Sequence, residues 1–315
     1  MGAANTEYTR AVTRKSFTAA VARAMQPGAK HDTMPVLTGA QGVGKTTLIQ
    51  KMGMSWFSNS IESFEGKDAA ELLQGVWIVE IGEMSAYSKS DVNTIKGFLS
   101  RTEDHYRAAY ARKTEKHPRK CVFFGTSNRS DYLKDSTGGR RFLPIDVGIQ
   151  QPTKSVFFND KYPERILLDG EINQLWAEAV MYWRLGEPLV LNGELAEEAK
   201  RQQESHAEQD PWEGIIRNFV ERKVPIDWNK KDIESRKLYW AGEFNPANSE
   251  GVIPRDRVCA AEIWTECFNE KVNRMRRTET MRINDILGNI HGWEKKFTPY
   301  RFGPYGKIKG GYIKG

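Results

Sequence analysis

Gly39-Ala40-Gln41-Gly42-Val43-Gly44-Lys45-Thr46-Thr47 gathers three glycines, a lysine and two hydroxyls into one short stretch. The chemistry that needs such a set is oxyanion binding. Gly39, Gly42 and Gly44 permit the backbone angles that turn several N–H groups, that of Val43 among them, toward one concavity. Lys45 adds a point charge for the terminal phosphates, and Thr46, followed by Thr47, offers a hydroxyl for Mg²⁺. A helix beginning near Lys45 contributes its positive end. The stretch fits Gly-x-x-x-x-Gly-Lys-Thr at every fixed position, so ATP with Mg²⁺ is the expected ligand. Kinases, switches and motors share that loop, and other residues must separate them.

A motor needs a carboxylate on a neighbouring strand to hold Mg²⁺ and polarise water. The run VWIVEIGEM offers Glu80, at the expected C-terminal end of a buried strand, where parallel sheets keep their ligand sites, and Glu83 three residues later. Glu80 is assigned to Mg²⁺ or water activation, with Glu83 as its helper or as an ordinary helix-start carboxylate. Asp is more usual at the Mg²⁺ position. Cys121-Val122-Phe123-Phe124-Gly125-Thr126-Ser127-Asn128 reads as a buried strand ending in polar residues. Asn128 either orients the attacking water or caps a turn. Arg140 and Arg141 follow a glycine-flexed loop; they either reach the γ-phosphate of a neighbouring subunit, stabilising the transition state, or pair with surface acids.

The elements around these residues alternate strand and helix. Met34–Thr38 is a predicted strand, a helix runs from Lys45 to about Met54, and Gly75–Val79, Lys120–Gly125 and Phe142–Val147 are further buried-strand candidates. Ser90 and Asp91 are suited to cap a helix through Leu99. This is the pattern of an α/β domain with a parallel sheet flanked by helices. The expected organisation is an N-terminal helical segment (1–30), a phosphate-loop core (31–150), a helical lid or linker (151–210) and a basic C-terminal domain (211–315), with the last boundary at the Asp-Pro turn of DPWEG.

The chain has 315 residues and a net charge of +6. Residues 1–210 are neutral, and the whole excess falls in 211–315, which suits either a polyanion partner or a solvated basic surface. No apolar run is long enough to span a membrane. Three cysteines, none at zinc-ligand spacing, point to a reducing compartment, the cytoplasm. YRAAYARKTEKHPRK has two short flanks around a polar tip, Ala111 to His117, which carries Arg112, Lys113, Lys116 and His117 and suits a β-hairpin. On residues alone a solvated charged turn is the simpler reading of that tip. Helices in 257–293, the second capped by Thr278-Glu279-Thr280, followed by the aromatic and basic run EKKFTPYRFGPYGKIKGGYIKG outline a winged-helix-like domain; a protein-docking module or a cap on the ATPase is the alternative.

From about Ala20 to Val147, the segments AVARAMQPGAKHDTMPVLTGAQGVGKTT, GKDAAELLQGVWIVEIGEM, KSDVNTIKGFLSRTEDHYRAAYARKTEKHPRKCVFFGTSN and TGGRRFLP resemble the virulence-associated protein E family of prophages and mobile islands. That resemblance implies an AAA+-type P-loop ATPase related to superfamily 3 helicases. It further implies a homo-hexameric ring acting on single-stranded or forked DNA during replication, with other replication proteins as partners. It assigns the hairpin tip residues Arg112, Lys113, Lys116 and His117 to the DNA backbone in the ring channel. Primase modules often precede this ATPase in the family; the chain has no room for one, so priming is not expected. The rival readings are an ATP-switched DNA-binding initiator or helicase loader without motor activity, and a P-loop kinase of a small molecule. The kinase needs neither a basic module nor an arginine in trans.

Overall fold

The computed structural model describes residues 1–108, 112–134, 139–157, 163–208, 210–243 and 251–315. The chain forms two units, Met1–Glu208 and Gln209–Gly315.

In the first unit, α1 (Glu7–Met25) starts at Thr6, whose hydroxyl accepts the Thr9 N–H at 3.1 Å. β1 (Met34–Thr38) and α2 (Lys45–Gly53) flank the glycine loop, and β2 (Phe57–Ser58) and α3 (Gly66–Glu71) follow. β3 occupies Ile78–Ile81, later than the Gly75–Val79 expected. The apolar residues before it are used differently: the Trp77 indole donates to the Ala20 carbonyl at 2.8 Å. α4 (Lys89–Leu99) is capped by Ser88 and not by Ser90, in a reciprocal box in which Asp91 accepts the Ser88 N–H at 2.8 Å. β4 (Glu103–Tyr106) and β5 (Glu115–Pro118) form an antiparallel hairpin. β6 (Val122–Ser127), β7 (Phe142–Asp146), α5 (Asp169–Arg184) and α6 (Glu194–Ser205) complete the unit.

The main sheet is parallel, in the order β2-β3-β6-β1-β7. Its side chains alternate between two apolar layers. On one face Leu37, Ile78, Val122 and Phe124 pack with Val12 of α1, Ile49 of α2 and Trp176 of α5. On the other, Val36, Val79, Ile81 and Phe123 pack with Ala69 of α3 and Ile95 and Phe98 of α4. The chain leaves β1 toward β2 on one side, while β7 lies on its other side. The crevice beyond the carboxyl end of β1 is therefore the topological switch point, where open parallel sheets bind ligands.

In the second unit, α7 (Pro211–Glu221) is capped by Asp210, and β8 (Val224–Pro225), α8 (Ile233–Ala241) and β9 (Val252–Ile253) follow. β10 (Arg257–Val258) leads into α9 (Ala260–Glu262), which continues as a π-helical turn at Ile263–Cys267. α10 (Arg277–Asn289) has Arg276 as its N-cap, so Thr278 and Thr280 lie inside the helix and do not cap it. β11 (Trp293–Lys295), β12 (Tyr300–Arg301), β13 (Lys307–Ile308) and β14 (Tyr312–Lys314) close the chain. β10, β14 and β11 form an antiparallel sheet in that order, and β12 pairs with β13. Inside this unit the Arg236 guanidinium lies 2.9 Å from Glu266 and 3.3 Å from Glu262, and Arg255 bonds Glu262. Burial raises the Glu262 carboxyl above its ordinary value, against the pull of both arginines.

Candidate phosphate-binding site

The loop Gly39–Gly44 leaves β1 at the switch point, and α2 begins at Lys45. Two of its glycines are sterically required. A Cβ on Gly39 would sit 2.6 Å from the Val147 carbonyl oxygen. Gly44 has φ +91°, a region that side chains avoid, and its Cβ would collide with the Val156 side chain. The Lys45 ammonium is turned into the loop, donating to the Gly39 carbonyl at 2.6 Å, the Ala40 carbonyl at 2.9 Å and Asn128 Oδ1 at 2.9 Å. Burial lowers its pKa below the usual lysine value, with Glu83 and Glu80 opposing that shift.

Glu80 lies within β3, beside Phe124 of β6, and is 3% exposed. Its Oε1 accepts the Thr46 hydroxyl at 2.7 Å and the Thr126 hydroxyl at 2.9 Å. Its Oε2 is buried with no hydrogen-bond partner. An orphaned carboxylate oxygen beside a threonine whose lone pairs are still available suits a hard divalent cation. One carboxylate and one hydroxyl is the sparse protein set that Mg²⁺ takes when water and phosphate supply the rest. Among the described residues no cluster of three or more His, Cys, Asp or Glu side chains could hold a metal.

Asn128 joins the two halves of the site. While Oδ1 accepts from Lys45, Nδ2 donates to Glu83 at 2.9 and 3.2 Å. Glu83 is exposed and held at φ +50°, in the left-handed region, a local cost of about 1–3 kcal/mol that persists only where the surroundings impose it. Lys45, Thr46, Glu80, Glu83 and Asn128 are thus brought together. Two contributors were not anticipated. Thr126 lies near the carboxyl end of β6, two residues before Asn128, and strand alternation puts it on the face opposite its neighbours Gly125 and Ser127. His206, at the end of α6, has no local signal.

His206 is 3% exposed and bonds Asp146 Oδ1 at 2.9 Å through Nε2 and the Gln202 carbonyl at 2.8 Å through Nδ1. Asp146 is in register with Thr38, the residue before the glycine loop, so this bond ties α6 to the sheet beside the site. Burial opposes the charged ring, but the Asp146 carboxylate and the Gln202 carbonyl outweigh it and raise the His206 pKa. A histidine raised in the folded state stabilises fully below its unfolded value and loses that contribution as pH rises through the folded one. In thermal melts across neutral pH, the wild type is expected to lose stability relative to His206→Gln as the pH climbs above about 6.5. Parallel pH curves would remove the imidazolium from this account.

Arg140 and Arg141 lie elsewhere. They precede β7 at its N-terminal end, where Phe142 pairs with Met34, the first residue of β1. A five-residue strand spans about 16 Å, so these arginines sit at the edge of the sheet opposite the loop of their own subunit. Arg140 is exposed, and Arg141 Nε donates to Ser100 at 2.8 Å. The hairpin also corrects the expected tip. Arg112 and Lys113 lie between the strands, but Lys116 and His117 belong to β5, opposite His105 and Asp104. Lys116 pairs with Glu103 at 3.3 Å, and His117 stacks on Tyr106 with ring centroids 4.0 Å apart. Period-2 pairing extends the strands further toward the turn than their polarity suggests. Part of the tip, Ala111, lies outside the described residues.

Residues 1–208 match the virulence-associated protein E-like domain. The chain belongs to that family. No curated protein matches it. Among solved structures, the apo C-terminal region of NrS-1 (its residues 305–718) is 15% identical over 95% of this chain and 71% of that one, with a TM-score of 0.47. A second, the A form of the same region, is 13% identical over 95% and 70%, with a TM-score of 0.44. In this virulence-associated protein E-like chain, every residue of the candidate site, from Gly39 to His206, falls inside the matched segment. Among the described residues no helix is long and apolar enough to cross a membrane.

Proposed function

We propose that the chain is an AAA+-type ATPase that assembles into a ring, homo-hexameric by family resemblance, and hydrolyses ATP with Mg²⁺ to translocate on single-stranded or forked DNA in replication. The single observation carrying this reading is the Glu80 carboxylate at the switch point, one oxygen held by Thr46 and Thr126 and the other buried and unpartnered. In this scheme the loop N–H groups and Lys45 hold the phosphates, and Thr46 and Glu80 hold the metal. Mg²⁺, when bound, neutralises charge developing on the phosphate oxygens. Asn128 orients the attacking water, and the exposed Glu83 beside it receives the proton. Arg140 or Arg141 completes the neighbour's site, since neither reaches its own.

The DNA contacts follow from exposed cations. Arg112 and Lys113 between the hairpin strands fit the phosphate backbone without reading bases. In the second unit, helices α7, α8 and α10 and the sheet β10-β14-β11 support a winged-helix reading, with exposed Arg276 and Arg277 at the start of α10 and Arg301 and Lys307 on the β12–β13 ribbon.

ATP turnover measured with and without single-stranded DNA, together with strand displacement on a forked duplex, tests the motor. Stimulation with displacement is expected. Nucleotide-dependent DNA binding with negligible turnover would replace the motor with an ATP-switched initiator or loader. The roles of the two carboxylates separate in one titration. Glu80→Gln is expected to raise the Mg²⁺ concentration for half-maximal turnover by ~10–100-fold, whereas Glu83→Gln lowers kcat without moving it. Equal Mg²⁺ curves for the two variants would contradict the assignment.

A further inference from the structure

A cavity of about 600 Å³ opens in the first unit at the base of the β4–β5 hairpin, away from the glycine loop. It lies by the N-terminal ends of β3 and β6, since Trp77 and Cys121 immediately precede those strands and line it. Three indoles line it as well. Trp77 and Trp176 pack with ring centroids 4.3 Å apart, and Trp56 meets Trp77 edge-on at 6.4 Å. Two of the indole N–H groups are already used, Trp77 on the Ala20 carbonyl and Trp176 on the Met52 carbonyl at 3.1 Å. What this wall presents is therefore apolar edge and π-face. Trp56 is 52% exposed, unusual for so large an apolar side chain. β5 and the residues after it also line the cavity; there Lys116, held by Glu103, and Lys120 are exposed cations, and the Asp104 carboxylate beside them is already neutralised by Arg119.

We infer that this cavity is a binding site for an unpaired nucleotide of single-stranded DNA, with its base against Trp56 and Trp77 and its flanking phosphates at Lys116 and Lys120. The volume is that of a small-ligand pocket, roughly 300–1,000 Å³. Aromatic faces beside a cationic track are the means by which proteins hold single strands without reading sequence. An acidic peptide would engage the lysines and leave the indole faces unused, and an apolar peptide the reverse; a nucleotide engages both. The hairpin supplies continuity, because its tip carries Arg112 and Lys113 and its β5 strand forms the cavity wall. The inference rests on the DNA-binding reading of that hairpin.

Fluorescence anisotropy on the full chain tests it with two labelled oligonucleotides of equal length, one of ordinary bases and one abasic throughout, so that phosphates are matched. Trp56→Ala is expected to weaken binding of the base-bearing strand by ~5–150-fold, the range measured for one stacked base, and to leave the abasic strand unchanged. Trp56→Phe keeps a ring and is expected to retain most of the affinity. Trp56 is half-exposed, so a thermal melt of each variant separates local loss from unfolding, and Lys120→Glu, which empties no core position, is expected to weaken both strands. Equal effects of Trp56→Ala on the two strands, or none, overturn the inference. A Trp56-dependent affinity for free deoxynucleotides with strand binding unchanged overturns the strand as the source. A change of oligomeric state with DNA binding intact gives the cavity to a subunit contact instead. Arg112→Glu with Lys113→Glu probes the hairpin separately: if these changes and Trp56→Ala leave both affinities intact, the hairpin reading has failed too, whereas loss at the tip alone spares it.

Discussion

Replacing Arg140 and Arg141 together by alanine is expected to lower ATP turnover by ~10³–10⁵-fold, the range a transition-state arginine contributes in phosphoryl transfer, while nucleotide binding persists. The expectation follows from their position: both stand at the N-terminal end of β7, at the opposite end of the sheet from the glycine loop of their own chain. They therefore act on another copy or not at all. Of the single variants, Arg140→Ala is expected to carry the larger loss, because Arg141 already donates to Ser100 while Arg140 is exposed. Lys45→Ala is expected to be comparably inactive, and mixing it with the double-arginine variant to restore part of the turnover. A Lys45→Ala subunit still offers its arginines, and its neighbour still offers an intact loop. Absence of recovery at every mixing ratio would show that no arginine crosses the interface.

The second large effect concerns the root of the hairpin. Arg119, immediately after β5, makes a two-pronged ion pair with Asp104 of β4, at 2.6 and 2.8 Å, and both side chains are at most 5% exposed. Its guanidinium also donates to the Phe98 carbonyl and lies 4.2 Å from the centroid of the Phe98 ring. Arg119→Ala is expected to destabilise the first unit by about 3–5 kcal/mol, because it strips the buried Asp104 carboxylate of both close guanidinium bonds and leaves it only the more distant Arg101, at 3.6 Å. Arg119→Met with Asp104→Leu removes both charges and is expected to recover most of that loss. Chemical denaturation of the three proteins reads it directly. A double variant no better than the single would mean that packing on Phe98, and not the stranded charge, sets the cost.

β1 and β7 were legible in the sequence because a strand buried on both faces is a short apolar run, and nothing else competes for those residues. β2 was not: Phe57 and Ser58 carry no pattern of their own and become a strand only by pairing with Ile78 and Val79. β3 was placed too early because Val76 and Trp77 are apolar for side-chain packing. The glycine loop, Lys45, Thr46 and Glu80 are legible as a candidate phosphate site because phosphate chemistry demands those types at fixed spacing. Thr126 was within reach of the alternation rule; His206 was not, since its meaning depends on Asp146, sixty residues away in the chain. The buried Arg236, Arg255, Glu262 and Glu266 of the second unit were equally hidden, because an ion pair inside a core looks in sequence like any surface charge.

β6 joins the two ends of the first unit. Its carboxyl end carries Thr126 and leads to Asn128 beside the glycine loop, and its amino end follows Arg119, the anchor of the hairpin. It is hydrogen-bonded to β3 on one edge and β1 on the other, and a Cβ on its mid-strand Gly125 would lie only 2.9 Å from Met34 and Val36. A rod gripped along both sides and packed that closely does not flex over its ~20 Å. A force applied at Asn128 along the strand axis thus reaches the hairpin with the stiffness of the sheet and not of a loop.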